Sequence, residues 1–155
     1  MRRIFFFSYL LCLALWVGGM AGFAFLVTPQ LFLQLDRDQA AHIVGFLFPL
    51  YYPLMVGISL AGVVSFWASH PKGSKSYKIV SSLLVLAVGI NLYQWLVLFP
   101  QTAQLAQEIG SFLNTPKDNP LRQAFTRLHI QANLLGLVVF VDGLLLLFFA
   151  SKKEV

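Results

Sequence analysis

Four long apolar blocks, separated by short polar segments, dominate the pattern of hydrophobic and polar positions along the chain. They cover about residues 4–27, 43–67, 79–99 and 130–150. Each block has roughly the 20 residues that a helix needs to cross a hydrocarbon core about 30 Å thick. A chain inside lipid must satisfy its backbone hydrogen bonds internally, so the blocks predict helices. The pattern therefore predicts an all-α integral membrane four-helix bundle, with residues 1–155 as a single transmembrane domain.

Composition agrees with a membrane protein. Of the 155 residues, 58% are hydrophobic and only 11% are charged, against roughly 25% charged residues in soluble domains. The formal net charge of +5 would suit nucleic acid in a soluble protein, but here the topology explains it better.

The basic residues that flank the blocks are distributed unevenly between the two ends of the predicted bundle. With alternating crossings, one side receives Arg2, Arg3, Lys72, Lys75, Lys78, Lys152 and Lys153. The other side receives Arg37, Lys117, Arg122 and Arg127. This excess predicts that both termini are cytoplasmic. The expected location is a bacterial inner membrane, although a thylakoid membrane fits the same rules.

The polar segment after the third block predicts an additional helix. Between about residues 101 and 113, apolar residues recur with helical spacing and polar residues, mostly glutamines, fill the other positions. This pattern predicts an amphipathic helix on the outer side of the membrane. Pro120 suits the first position of the fourth helix, and Asp36 with Gln39 predicts the N-cap of the second. His70, in the short inner loop, is expected to be solvated.

Small residues form a stripe on the first block. Ala14, Gly18 and Gly22 recur every four residues, a spacing that places them on one helix face and lets another backbone approach closely. Two interpretations remain open: packing within the bundle, or contact with a partner membrane protein. Beyond the stripe, Pro29 is expected to end or kink this helix, as Pro100 is for the third helix.

Polar side chains from several helices are expected to meet in the outer half of the bundle. On the fourth helix, His129 and Asn133 share a face that is expected to point inward. The third helix contributes Asn91 and Gln94, and the second carries Tyr51–Tyr52 between two prolines. The candidate residues for binding a ligand or cofactor are His129, Asn133, Asn91, Gln94, Tyr51, Tyr52 and Trp16. Hydrogen bonding between helices is the competing interpretation.

Asp142 is the one acidic residue within the apolar blocks, and no Lys or Arg lies within any block to pair with it. It is expected to be protonated or hydrogen-bonded to a hydroxyl of another helix, and Ser8, Tyr9 and Ser59 lie at a compatible depth. Helical spacing places it away from the His129 face. Contact with a partner protein is therefore the other interpretation.

The sequence carries no pattern typical of catalysis. It has no paired carboxylates, no Ser/His/Asp set at one depth and no HExxH motif, and amides are poor ligands for transition metals. We therefore expect no catalytic residues, no metal site and no nucleic-acid partner. The single cysteine, Cys12, excludes an internal disulfide. No cofactor is required, although a tetrapyrrole or a lipid would suit the outer half.

Several short motifs resemble those of a known membrane family. They are Trp16–Gly19, Pro29–Phe32, Phe48–Tyr52, Asn91 with Pro100–Thr102, and Phe125–His129 with Asn133. Their order and spacing resemble a bacterial membrane family catalogued only as a domain of unknown function and related to the eukaryotic transmembrane protein 205 family. The resemblance covers about Leu13 to Leu147 and implies a four-helix membrane protein without an established activity. Asp142 lies outside every motif.

These features favour a non-enzymatic accessory or assembly subunit of a larger membrane complex, with membrane lipids and another membrane protein as partners. The alternative is a binder or transporter of a small apolar ligand or cofactor in an outer-half cavity. A third hypothesis, an enzyme acting on lipids, depends on His129 alone. The residues expected to pack helices or to contact a partner are Ala14, Gly18, Gly22 and Asp142.

Overall fold

In the computed structural model, which describes residues 1–152, four long helices make up most of the chain. Helix α1 spans Arg2–Gln34, α2 spans Arg37–Ser69, α3 spans Lys75–Ile109 and α4 spans Pro120–Ser151. Each contains one of the four predicted spans, and each is long and apolar enough to cross a membrane. Within the described residues there is no β-strand, so the prediction of an all-α protein with four helices of membrane-spanning length and apolarity is confirmed.

The helices form an antiparallel ring in chain order. Helix α1 packs against α2 and α4, and α3 packs against the same two helices. This up-down-up-down arrangement is the one that short connections permit. Side chains from all four helices fill the centre, none of them more than 1% exposed: Tyr9, Leu13, Trp16, Phe66, Leu84, Val139 and Leu146.

Many apolar side chains point outward, away from this core. Large hydrophobic residues more than half exposed occur on every helix, among them Leu15, Leu50, Val85 and Leu134. Soluble proteins rarely expose large contiguous apolar patches, whereas a membrane protein presents such a surface to lipid tails. The outward apolar surface therefore supports the membrane assignment independently of helix length.

Two π-helical turns accommodate Pro29 and Pro100, which therefore do not end their helices. The turns span Gly22–Val27 in α1 and Gln94–Leu98 in α3. Proline has no N–H group, and its ring clashes with the carbonyl four residues earlier in a regular helix. Before each proline, the backbone hydrogen bonds join residues five apart instead of four apart. This wider turn lets the helix continue past the proline.

The amphipathic helix predicted at residues 101–113 is not a separate element. The segment continues α3 and ends at Ile109. There Gly110, with a φ of +68°, leaves the helix in a backbone conformation that favours glycine. The extension packs against α4. Its position relative to the membrane surface stays a prediction.

Capping residues fix the starts of α2 and α3. Asp36 Oδ1 accepts a hydrogen bond of 2.8 Å from the backbone N–H of Gln39 at the start of α2, as predicted. Ser74 Oγ accepts a bond of 3.0 Å from the N–H of Tyr77 and caps α3. Pro120 is the first residue of α4, which confirms its predicted position.

Candidate functional site

The residues predicted to line an outer-half cavity do not meet in one place. Trp16, Asn91 and Gln94 are buried, none of them more than 5% exposed. His129 and Asn133, by contrast, are exposed on the surface of α4. The prediction that these two side chains point into the bundle is therefore wrong.

A glycine decides which face of α4 packs inward. A Cβ at Gly143 would lie only 2.8 Å from Cγ2 of Val17, so α1 and α4 approach closely at this point. This contact turns Val139 and Asp142 into the core. His129 lies on the roughly opposite side of the helix and is left outside. Helical spacing separates the two sets of residues correctly but does not show which set is inside.

His129 belongs instead to an aromatic cluster near the end of the bundle where α2 and α4 begin. Its ring stacks on Phe125 with 5.6 Å between centroids, and Phe125 contacts Phe112 at 4.8 Å. The guanidinium of Arg37 lies 5.5 Å from the centre of the Phe112 ring. The cluster thus joins α2, α4 and the loop between α3 and α4 through Phe112, while His129 itself contacts Phe125 of its own helix.

Asp38 connects the same elements through hydrogen bonds. One carboxylate oxygen accepts a bond of 2.6 Å from Ser111 Oγ, and the other accepts a bond of 2.7 Å from the backbone N–H of Phe112. The donated bond from Ser111 is the main reason that the pKa of Asp38 lies below its usual value. Asp38 therefore ties the start of α2 to the loop after α3.

Tyr51 and Tyr52 lie in a second aromatic cluster. Tyr51 stacks on Phe23 with 4.8 Å between ring centroids, and Tyr52 contacts Phe99 at 5.5 Å. Phe48 contacts both tyrosines. Rings from α1, α2 and α3 thus pack together beside the two π-helical turns, where the sequence predicted a cavity wall.

Two shallow depressions, of about 560 and 430 Å³, lie near the C-terminal end of α2 and the N-terminal part of α3. They are lined by Val64, Trp67, Ala68, Lys72 and Tyr77, and by Ser81, Ser82, Val85 and Leu86. None of the predicted ligand-binding residues lines either depression. Between residues 1 and 152, no three His, Cys, Asp or Glu side chains are grouped as a metal site would require.

Hydrogen bonds within and between helices account for two of the buried polar candidates. Asn91 Nδ2 donates a long bond of 3.5 Å from α3 to Ser59 Oγ on α2, and Ser59 Oγ donates to the carbonyl of Val56 at 3.0 Å. Trp16 Nε1 donates to Met20 Sδ at 3.2 Å. The bond of Asn91 matches the competing interpretation, hydrogen bonding between helices, whereas that of Trp16 stays within α1.

Asp142 has no such partner. It is 5% exposed, and neither carboxyl oxygen makes a hydrogen bond within the described part of the chain. Of the hydroxyl groups expected at its depth, that of Tyr9 belongs to a side chain of the same core cluster as Val139 and Leu146, but it makes no hydrogen bond to Asp142. The position of Asp142 inside the bundle does not fit the predicted contact with a partner protein.

His70, which follows α2, is buried rather than solvated. It is 8% exposed because its ring stacks on Phe66 with 4.3 Å between centroids and stands edge-on to Tyr9 at 6.1 Å. Its Nδ1 shares a hydrogen bond of 2.9 Å with Ser69 Oγ. Burial lowers the pKa of His70. The polar loop around His70 predicts a solvated side chain. The only sequence signal for its burial is the apolar, aromatic start of α1.

The small-residue stripe of α1 faces outward. Ala14 and Gly18 are exposed and Gly22 is half-buried. A Cβ added at Gly18 or Gly22 would meet no atom within 4 Å. The neighbouring Gly19 packs inward instead, where an added Cβ would lie 3.2 Å from Met55 Cε. The stripe therefore does not pack against the rest of the bundle, which removes the first of its two interpretations.

Comparison with known proteins identifies a family. Residues 11–111 match the model of a family described as Domain of unknown function (DUF4149). An "Uncharacterized protein" of Aquifex aeolicus (strain VF5) is 35% identical over 89 residues, which are 57% of this chain and 62% of that relative. The chain therefore matches less than two thirds of the relative's length. No solved structure matches the chain.

Proposed function

The chain belongs to the DUF4149 family, a domain of unknown function that residues 11–111 match, and from this premise we propose that it is a non-enzymatic accessory or assembly subunit of a larger membrane complex. It binds another membrane protein through the stripe formed by Ala14, Gly18 and Gly22. The observation that carries this proposal is the outward orientation of the stripe.

Lipid tails are as apolar as leucine, so transmembrane helices associate through close packing rather than through the hydrophobic effect. Because its side chains are small, we infer that the stripe forms a shallow groove along α1, near the side chains of Leu11 and Leu15, which are 48% and 52% exposed. No atom of the described chain lies within 4 Å of a Cβ built at Gly18 or Gly22. A helix of a second protein would gain van der Waals contact by lying in this groove.

The arrangement of the polar residues weighs against the alternative, a binder or transporter of a small apolar ligand. His129 and Asn133 are on the outside of α4, while Tyr51 and Tyr52 pack against other aromatic rings. A relation to the eukaryotic transmembrane protein 205 family stays a prediction.

We propose a bacterial inner membrane as the location, with both termini in the cytoplasm. Arg2 Nε donates a hydrogen bond of 2.6 Å to the carbonyl of Ser69, so the N-terminus of α1 and the end of α2 lie together. The basic residues of the 72–78 segment follow directly. A cluster of Lys and Arg at one end of a bundle favours the cytoplasmic side.

Affinity purification in a mild detergent tests the partner proposal when the wild-type protein is compared with two variants. Gly18→Leu fills the groove. Gly89→Leu is the matched control, since Gly89 is an exposed glycine of α3 with no atom within 4 Å of an added Cβ. We expect the wild type and Gly89→Leu to recover a stoichiometric second membrane protein. Recovery with Gly18→Leu should fall by about tenfold, which corresponds to about 1.4 kcal/mol of binding energy.

Three results would contradict the proposal. The first is recovery of the wild-type protein without a partner, and the second is its recovery only with a second copy of itself. The third is that Gly18→Leu recovers the partner as well as the control does.

A further inference from the structure

Asp142 lies where an ionised carboxylate would have neither a counter-charge nor a hydrogen bond. It is 5% exposed and lies between Val139 and Leu146, which are both 0% exposed. Neither of its oxygens makes a hydrogen bond within the described residues. A buried charge without a counter-charge or hydrogen bonds is strongly disfavoured, and ionisable residues inside membrane helices commonly mark proton or ion pathways.

The side chains of the neighbouring helices offer no cation at this level. Helix α1 contributes Tyr9, which is 1% exposed and packs in the same core cluster as Val139 and Leu146. Cys12 faces α2 instead, since its Cβ lies 3.7 Å from a Cβ built at Gly62. Helix α2 contributes His70, just beyond its end. Between Lys75 and Tyr93, the buried residues of α3 are three apolar side chains and one amide: Val80, Leu84, Ala87 and Asn91.

Two groups that can carry a proton, Tyr9 and His70, lie in contact between the core around Asp142 and the basic end of the bundle. The ring of Tyr9 lies 6.1 Å from that of His70, and His70 Nδ1 is hydrogen-bonded to Ser69 Oγ at 2.9 Å. Ser69 in turn accepts a bond from Arg2 Nε through its carbonyl. A phenol and an imidazole can each donate and accept a proton.

We propose that Asp142 is a proton-binding site inside the bundle and that Tyr9 and His70 connect it to the basic end. A proton from the solvent at that end binds to one carboxyl oxygen and leaves a neutral acid, which needs no counter-charge. Loss of the proton leaves a carboxylate that nothing in the described chain offsets. This site is independent of the stripe on α1, which faces away from the bundle interior.

Infrared spectroscopy of the purified full-length protein tests the site directly. At neutral pH, where an aspartate in water is ionised, we expect a carboxylic acid C=O band in the wild type. The band should be absent from Asp142→Asn and present in Glu108→Gln, which changes an exposed carboxylate at the end of α3. Absence of the band from the wild type overturns the proposal. Loss of the band on adding sodium chloride at constant pH also overturns it, because the site would then bind a metal cation.

Chemical labelling keeps the test valid even if Asp142→Asn does not fold. A hydrophobic carbodiimide reacts with protonated carboxyl groups in membranes, and peptide mass spectrometry locates the adduct in the wild-type protein. We expect the adduct on Asp142 and expect labelling to decrease as the pH rises. Absence of an adduct at Asp142, or labelling that is independent of pH, overturns the site.

The route is tested by transfer into heavy water, which shifts the C=O band when the acid exchanges its proton. We expect Tyr9→Phe and His70→Gln to slow this shift by about tenfold, which corresponds to about 1.4 kcal/mol of barrier. Exchange as fast as in the wild type in both variants overturns the route.

Discussion

Gly143 and Gly136 lie two turns apart on α4 but in different surroundings. A Cβ at Gly143 would lie 2.8 Å from Cγ2 of Val17, whereas a Cβ at Gly136 would meet no atom within 4 Å. Valine has one strongly preferred rotamer in a helix, so Val17 has little freedom to turn away. We expect Gly143→Ala to lower the free energy of unfolding by about 1–3 kcal/mol, as overpacking does.

The measurement is denaturant titration in micelles, with Gly136→Ala as the control. Alanine has a higher helix propensity than glycine, so the control should be as stable as the wild type or slightly more stable. Equal stability of the two variants would show that α1 and α4 do not approach as closely as the structure has them.

His70 makes the stability of the fold depend on pH. Burial lowers its pKa below the usual value of 6.5, so the folded protein favours the neutral imidazole. Below about pH 6.5 the unfolded chain binds a proton that the folded chain does not. The contribution of His70 is therefore fully present above that pH and is lost as the pH falls.

Thermal unfolding measured over a series of pH values checks this prediction. We expect the stability advantage of the wild type over His70→Gln to shrink as the pH falls below about 6.5, while the opposite contribution of a protonated Asp142 is common to both proteins. His42→Gln, which changes an exposed histidine near the start of α2, should keep the wild-type profile. A profile unchanged by His70→Gln would count against the buried position of this ring.

At the scale of elements, Asp38 holds the start of α2 against the loop that follows α3. It accepts hydrogen bonds from Ser111 Oγ and from the backbone N–H of Phe112. Removing both acceptors with Asp38→Ala frees two donors of the loop at once. We expect faster deuterium uptake in residues 110–115, because these backbone groups open more readily without the carboxylate.

Hydrogen exchange followed by mass spectrometry measures this effect. Asp118→Ala, at an exposed aspartate of the same loop, should leave the uptake of residues 110–115 unchanged. If Asp38→Ala also leaves it unchanged, the two hydrogen bonds do not hold the loop.

Local signals in the sequence are sufficient to predict the helices but not their packing faces. Apolar blocks of membrane-spanning length and the cap at Asp36 locate α2 because length, composition and capping act within one segment. The inward face of α4 is different. In lipid both faces of a helix are apolar, so hydrophobicity does not distinguish the interior from the surface. The close approach of Gly143 to Val17 decides it, and this contact joins distant parts of the chain.

The π-helical turns also escape prediction from sequence. A proline at position 29 or 100 predicts that a helix ends or bends. Whether the chain instead widens one turn and continues depends on the packing around that turn. Here aromatic rings of three helices, including Phe23 and Phe99, pack beside both turns.

For the whole molecule, the two proposed activities occupy separate places. The stripe of α1 is on the outer surface, and Asp142 is in the interior. We therefore expect Gly18→Leu to lose partner recovery while it keeps the carboxylic acid C=O band, and Asp142→Asn to lose the band while it keeps the partner. Affinity purification and infrared spectroscopy on both variants measure this. Loss of both properties in either variant would show that the two places are coupled.

The orientation that we propose for the bundle is based on the distribution of charge between its two ends. Four crossings place both termini on the same side. The end that carries the termini also carries the basic 72–78 segment, which has no acidic residue. At the other end, four acidic residues offset the basic ones: Asp36, Asp38, Glu108 and Asp118. Short basic segments stay in the cytoplasm, so the 110–119 loop should face outward.

Labelling of intact cells with a membrane-impermeant maleimide measures this orientation. In a Cys12→Ala background, which has no other cysteine, we expect Lys117→Cys to react in intact cells. Lys72→Cys should react only after the cells are permeabilised, and the Cys12→Ala protein itself should not react. Because removal of Lys72 weakens the charge bias only slightly, the variant should keep the wild-type topology. The reverse pattern would place the basic end outside the cell. The Lys and Arg residues of the short loops would then not determine the orientation.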